Sequence, residues 1–220
     1  MTDYLPNAAA VIGPLSRTDK MPCHSWSIPA ADCVTGSQMR RVPGSTCSRC
    51  YAHRNRYNFA RTQASMRQRL KGLRRRQWAR AMASLIWDTC ESHFRWFDSG
   101  DLQNEAHLRR ICQVAERLPG VKFWLPTREY GFVLAFLRKG GRIPSNLIVR
   151  ISAVMIDAAA PPLGLPTSTV HTAAPSNPLR ILNSIPITSH VCPAKKQGNK
   201  CGPCRACWDA TVSNVSYPLH

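Results

Sequence analysis

Ten cysteines are the residues best suited to chemistry in this 220-residue chain, and eight of them fall in two groups. Near the C-terminus, Cys201, Cys204 and Cys207 form an overlapping Cys-x-x-Cys-x-x-Cys run, and Cys192 lies upstream. That spacing curls a short loop so that three thiolates face one centre, with Cys192 available as a fourth ligand. Four thiolates suit a tetrahedral zinc ion or a cubane iron–sulfur cluster. The tight run is closer to ferredoxin-type loops than to the two separated pairs common in zinc sites, so a 4Fe–4S cluster is expected and zinc is the alternative. Lys195, Lys196, Lys200 and Arg205 surround the loop. Their charge is expected to favour thiolates over thiols. Two disulfides or unpaired structural cysteines are the plainer reading.

The second group is Cys23, Cys33, Cys47 and Cys50. Cys47-x-x-Cys50 stands where a helix is expected to begin, and the dipole there would lower both thiol pKa values. The long gaps make this set less specific. It is a second four-thiolate site, a set of buried or individually acting thiols, or part of a mixed site drawing ligands from both ends of the chain. Cys90 and Cys112, alone on expected helices, read as packing residues. Among the histidines, His24, His171 and His190 merit inspection, each with a structural role as the simpler account.

These groups need elements to hold them. Residues 1–22 read as irregular, with Pro6, Pro14 and Pro22 against any helix. Residues 51–92 read as one or two helices, with Met66, Leu70, Leu73, Met82 and Leu85 inward. Phe94–Phe97 is then a strand, Asp98–Asp101 a polar turn, and Leu108 to Leu118 a helical face stopped by Pro119-Gly120. Val121–Leu125 is a strand with a turn at Pro126–Arg128. A helix from Tyr130 ends at Gly140-Gly141, and Leu147–Ile151 is a third strand. Further short strands are expected at Ser168–Thr172 and Ile187–Val191, between Pro-rich pieces containing Pro175, Pro178 and Pro186. The alternation predicts an α/β fold of parallel β/α units forming a small or incomplete barrel, with cysteine-rich loops at both chain ends. One domain is expected, with an irregular segment 1–50, a core 51–191 and a cysteine-rich tail 192–220. In such folds the functional rim lies at the strand C-termini. Asp98, Asp101, Thr127, Arg128, Ser152, Cys192 and the Cys47–Cys50 turn are expected there. Asp98 and Asp101 are candidate acid/base groups, and Asp101 is the expected cap of the following helix.

Charge supplies a second clue. Thirty Lys+Arg against 12 Asp+Glu give a formal charge of +18. Such an excess seeks a polyanion, most often nucleic acid, with a basic surface kept for solubility as the simpler alternative. No acid occurs between Asp32 and Asp88. Arg67, Arg69, Lys71, Arg74, Arg75, Arg76 and Arg80 are therefore expected to form a phosphate-binding face, DNA being favoured. Tyr51, Tyr57 and Phe59 are placed to stack on bases, while Trp78 is assigned to the core. The chain has no expected membrane span and no secretory leader. Clustered cysteines in a reducing compartment more often hold metal than disulfides.

Three segments together resemble the phage "gene product 88" family. They are Pro22-Cys23-x-Ser25-Trp26-Ser27-x-Pro29 with Cys47-x-x-Cys50-Tyr51-Ala52; Phe94 through Asp101; and Cys192-Pro193-Ala194 through Cys207-Trp208. The resemblance implies a phage or prophage origin and hence a bacterial host cytoplasm, and it implies no particular chemistry. Cys47-Ser48-Arg49-Cys50-Tyr51 and the Ser99-Gly100-Asp101 strand end also resemble radical SAM enzymes in placement. The third cysteine of that pattern, four residues before Cys47, is replaced by Pro43. The expectation is an iron–sulfur protein that binds nucleic acid. A radical SAM-like enzyme is the alternative, and a zinc-stapled structural or interaction protein is a further one.

Overall fold

A computed structural model describes residues 4–172 and 189–219. Eight strands form one sheet in the order β1-β2-β3-β4-β5-β6-β8-β7. They are β1 (Ser16–Arg17), β2 (His24–Trp26), β3 (His93–Trp96), β4 (Lys122–Thr127), β5 (Leu147–Ser152), β6 (Thr167–His171), β7 (His190–Val191) and β8 (Asn214–Pro218). Among the described residues, β1 and β2 pair antiparallel and the other neighbouring strands pair parallel. The strands advance across the sheet in chain order as far as β6, as expected for successive β/α units. The sheet is open, with the two-residue strands β1 and β7 as its edges.

Six helices accompany the strands among the described residues: α1 (Ala8–Ile12), α2 (Val34–Met39), α3 (Ala60–Gly72), α4 (Trp78–Trp87), α5 (Glu105–Arg117) and α6 (Tyr130–Arg138). Period-two alternation in β3, β4 and β5 sends Phe94, Trp96, Phe123, Leu125, Leu147, Val149 and Ile151 into one core with α4, α5 and α6. Trp26 joins it, edge-on to Trp78 and Trp96. Cys112 is buried there, as expected, whereas Cys90 is exposed in the turn after α4 rather than packed in the core. The intervening residues Arg95, Trp124, Ile148, Arg150 and Ser152 point to the opposite face. That face meets the C-terminal cysteine loop.

Residues 4–22 hold more regular structure than the prolines suggested. Helix α1 packs on α3 because Gly72 has no side chain; a Cβ there would stand 2.6 Å from the Ile12 Cα. Pro126 and Thr127 belong to β4 rather than to a turn, since β3 pairs with β4 only as far as Trp124 and the missing proline N–H costs no ladder bond. The C-terminal tail supplies β8, which lies between β6 and β7. Of the expected Ile187–Val191 strand, His190–Val191 is present. Residues 173–188, with Pro175, Pro178 and Pro186, lie outside the described residues.

Candidate functional site

The loops leaving β2, β3, β4 and β5 interlock at one end of the sheet. Phe97 N–H donates to Trp26 O (2.8 Å) and Ile28 N–H to Ser99 O (3.2 Å). Gly100 has φ +82°, and a Cβ there would stand 2.2 Å from Ile28 Cγ1, so the close approach of these loops demands glycine. Asp101 is buried and accepts from Thr127 Oγ1 (2.6 Å), Leu102 N–H (2.8 Å) and Arg128 N–H (2.9 Å). Burial pushes its carboxyl up to about 6, against the pull of those donors. Asp101 does not cap α5. Asn104 does, accepting from His107 N–H at 2.8 Å. Asp98 accepts from Ser25 Oγ and Tyr57 Oη, both at 3.0 Å, and its carbonyl accepts from Tyr51 Oη at 2.6 Å. The Ser99 hydroxyl between the two aspartates is buried, with no hydrogen-bond partner among the described residues.

Cys33, Cys47 and Cys50 stand on this rim. The loop from β2 to Cys50 crosses the end of β5, where Thr46 N–H donates to Val154 O (2.8 Å) and Thr46 Oγ1 to the same carbonyl (2.6 Å). Its first half is tied to β4 by Thr35, whose N–H and hydroxyl donate to the buried Glu129 carboxylate at 2.8 and 2.7 Å. A Cβ at Gly36 would stand 2.8 Å from Cys33 Cβ, with the Cys33 and Cys47 sulfurs at 3.4 and 3.8 Å, so glycine permits the close approach of α2 to these two cysteines. Burial pushes the Cys33 thiol up, and Asp101, Cys50, Cys47 and Glu129 add to the effect. Burial also raises Cys47, opposed by the Arg128 guanidinium. The expected lowering at a helix start is therefore wrong for Cys47. Cys47–Arg49 is a single 3₁₀ turn, too short for a strong dipole, and desolvation prevails.

The C-terminal cysteines lie on the strand face opposite the helices. Trp208 closes against Trp124, and its indole N–H donates to Phe94 O at 2.8 Å. Arg150 holds the loop: its guanidinium donates to the carbonyls of Ala206, Asp209, Val212, Cys207 and Thr167 at 2.7–3.2 Å. The Cys207 sulfur is 3.2 Å from Tyr217 Oη, and the Cys204 sulfur is 3.3 Å from His190 Nε2. Cys192 acts electrostatically on both Cys201 and Cys207. Burial raises Cys201, and it lifts Cys207 to about 11, outweighing the nearby cations that were expected to favour thiolates. Cys23 sits with this group rather than with Cys33, because β2 separates the two residues. Among the described residues, no three His, Cys, Asp or Glu side chains are grouped as they would be around one metal ion.

His24 pairs with Glu91, and His171 lies 2.6 Å from Ser216 Oγ. Arg67, Lys71, Arg74, Arg75 and Arg76 are exposed, as a phosphate-binding face requires. Arg69 is not part of such a face. It is 3% exposed and donates to Pro14 O (2.6 Å) and Ser27 Oγ (2.8 Å), bracing α3 against the chain around β2. Arg80 is half-buried and donates to Tyr4 O. Trp78 is fully buried. Gly36, Glu129, Arg95 and Arg150 escape sequence reasoning. Only the isolation of Arg95 and Arg150 within apolar strand runs hints at them.

Fold and site together define an open, mostly parallel α/β protein with cysteines both at its strand-end rim and on the sheet face opposite α4, α5 and α6. The chain belongs to the phage Gene product 88 family, whose model matches residues 9–210 and so takes in both cysteine groups. No curated protein and no solved structure matches it. No helix among the described residues is long and apolar enough to cross a membrane.

Proposed function

We propose that this protein is an iron–sulfur enzyme of radical SAM-like type, with its active site at the strand-end rim. The observation that carries the reading is the set of three thiols, Cys33, Cys47 and Cys50, beyond the end of the first parallel strand and beside Asp101 and Arg128. The fourth N-terminal cysteine is elsewhere. Cys33, Cys47 and Cys50 would hold a 4Fe–4S cluster by three thiolates, and such a cluster would supply the electron for reductive cleavage of S-adenosylmethionine. Arg128 offsets thiolate charge, and Glu129 positions the Cys33 loop through Thr35. Asp98 and Asp101 are held by donors and so serve to fix the rim.

The test is anaerobic purification with iron, sulfide and zinc analysis, followed by S-adenosylmethionine with dithionite. Cys33→Ala, Cys47→Ala and Cys50→Ala should each lower iron content and abolish cleavage. Unchanged iron in all three, zinc in place of iron, or no cleavage product refutes the reading.

A nucleic-acid partner is supported separately by the segment that follows Cys50. Tyr51 and Phe59 are 50% and 62% exposed, and Arg49, Arg54, Arg56 and Arg61 around them are exposed too. Rings among cations suit stacked bases and phosphates. Binding of single-stranded DNA should weaken steeply with salt; a flat salt series refutes it.

A further inference from the structure

A cavity of about 740 Å³ opens at the end of the sheet away from the rim. His93, Lys122 and His190, the first residues of β3, β4 and β7, line it. The C-terminal loop supplies Cys204, Arg205, Trp208 and Asp209 to the same wall. Strand end and loop meet there, with the His93 ring edge-on to Trp208 at 5.4 Å between centroids. None of these residues belongs to the rim.

Two cations converge on this space. Burial holds the His93 imidazole below its ordinary pKa, and the Arg205 and Lys122 charges both add to the effect. Among the described residues the Lys122 ammonium makes no hydrogen bond or ion pair. Arg205 is fixed against its own loop, one guanidinium nitrogen donating to Gly202 O (2.7 Å) and Cys204 O (2.9 Å). Lys122 also acts on Asp209, but that carboxylate is engaged by the Thr211 N–H (2.9 Å) and hydroxyl (2.7 Å) of its own turn. Two cations against one carboxylate leave the cavity positive. Its remaining wall is apolar, with Ile148 and Trp208 buried and Pro119, Ala206 and Val212 beside them. The Cys204 sulfur and His190 Nε2, 3.3 Å apart, add a thiol and an imidazole to meet polar atoms of a ligand. Concave, partly apolar space with a few convergent polar groups suits a small organic molecule. A phosphate monoester carries about −1.5 to −2 charges at neutral pH and so matches two cations, where a carboxylate matches one.

We infer that this cavity is a second ligand site, which takes a small phosphate monoester with its phosphate on Lys122 and Arg205 and its organic body against Ile148 and Trp208. The site shares no residue with the rim and does not depend on the rim reading.

The test uses Cys204 as a reporter on the cavity wall. The full chain is treated anaerobically with iodoacetamide, and modification at each cysteine is read by mass spectrometry of fragmented peptides. AMP at about ten times its Kd should slow modification of Cys204 about tenfold and leave the exposed Cys90, which does not line the cavity, unchanged. Inorganic phosphate, lacking the organic body, should protect more weakly. Lys122→Met and Arg205→Met should each raise the AMP concentration required by roughly tenfold or more, since each removes a charged hydrogen-bond donor. Arg205→Lys, which keeps the charge, should lose less. Equilibrium dialysis with radiolabelled AMP reads the same binding without the thiol, and far-UV circular dichroism checks that each variant folds. No binding by dialysis, unchanged affinity in both methionine variants, or equal protection by inorganic phosphate overturns the inference. Tighter protection by a 5′-phosphorylated oligonucleotide than by AMP overturns the assignment to a small molecule.

Discussion

Replacing Arg150 with methionine should detach the C-terminal loop while leaving the helical core in place. Arg150 is fully buried and donates to five backbone carbonyls, four of them in residues 206–212. Hydrogen bonds to a charged donor are worth about 1.5–3 kcal/mol each, and burying the guanidinium returns several kcal/mol of that as desolvation cost. Methionine fills much of the volume and removes the desolvation cost but leaves the carbonyls without their donor. A net loss of about 3–5 kcal/mol is expected, concentrated in the loop. Lysine has three donors on a compact head, cannot span five carbonyls, and should fall between methionine and the wild type. Urea titration with tryptophan fluorescence would read the stability, since Trp208 is docked by its bond to Phe94 O. Limited trypsin digestion under native conditions would read the loop through cleavage at Lys195, Lys196, Lys200 and Arg205. Stability within 1 kcal/mol of wild type and no new cleavage would refute the account of Arg150 as the anchor, since even one carbonyl left without a partner costs about that much.

Four further outcomes are expected. Asp101 has a folded-state pKa near 6, raised by burial above the ordinary carboxylate value, so the folded state holds its proton more tightly than the unfolded chain. Its contribution is present at low pH and is lost as pH rises through about 6. Denaturation midpoints between pH 4 and 7 should therefore fall less steeply in Asp101→Asn, whose amide also presents a donor where Arg128 N–H already donates. Arg69→Ala should cost about 2–4 kcal/mol by thermal or urea unfolding, because buried acceptors lose a charged donor. Arg74→Ala, Arg75→Ala and Arg76→Ala should leave stability within about 0.5 kcal/mol, and each residue that contacts phosphate should reduce the salt slope of DNA binding by about 0.7–0.9. Gly100→Ala places a methyl against Ile28 at a positive φ. It should destabilise the rim by about 2–4 kcal/mol on an unfolding curve, the sum of overpacking and backbone strain.

Much of the architecture is legible in one dimension. The β-α-β-α-β run from Phe94 to Ile151 follows from hydrophobic period and from the Pro119-Gly120 and Gly140-Gly141 stops, all local signals. Helix α1 was missed because its five residues are held by contact with Gly72 rather than by their own propensity. The role of Arg69 was misread for a related reason. Its helical position looks like its neighbours', but α1 and the β2 segment cover that one turn.

For the site, the sequence by itself determined which residues are able to bind a metal, and that a positive surface surrounds them. Thiol chemistry and net charge are properties of composition and short spacing. How the cysteines divide was decided by tertiary structure. Cys23 and Cys33 are ten positions apart, yet β2 carries the chain from one side of the sheet to its rim between them. Cys23 and Cys201 lie at opposite ends of the chain, yet a backbone bond from Cys201 to Lys20 brings their segments together. The burial that holds thiols neutral despite neighbouring cations is likewise a property of packing, because desolvation depends on what surrounds a group in space rather than on what precedes it in the chain.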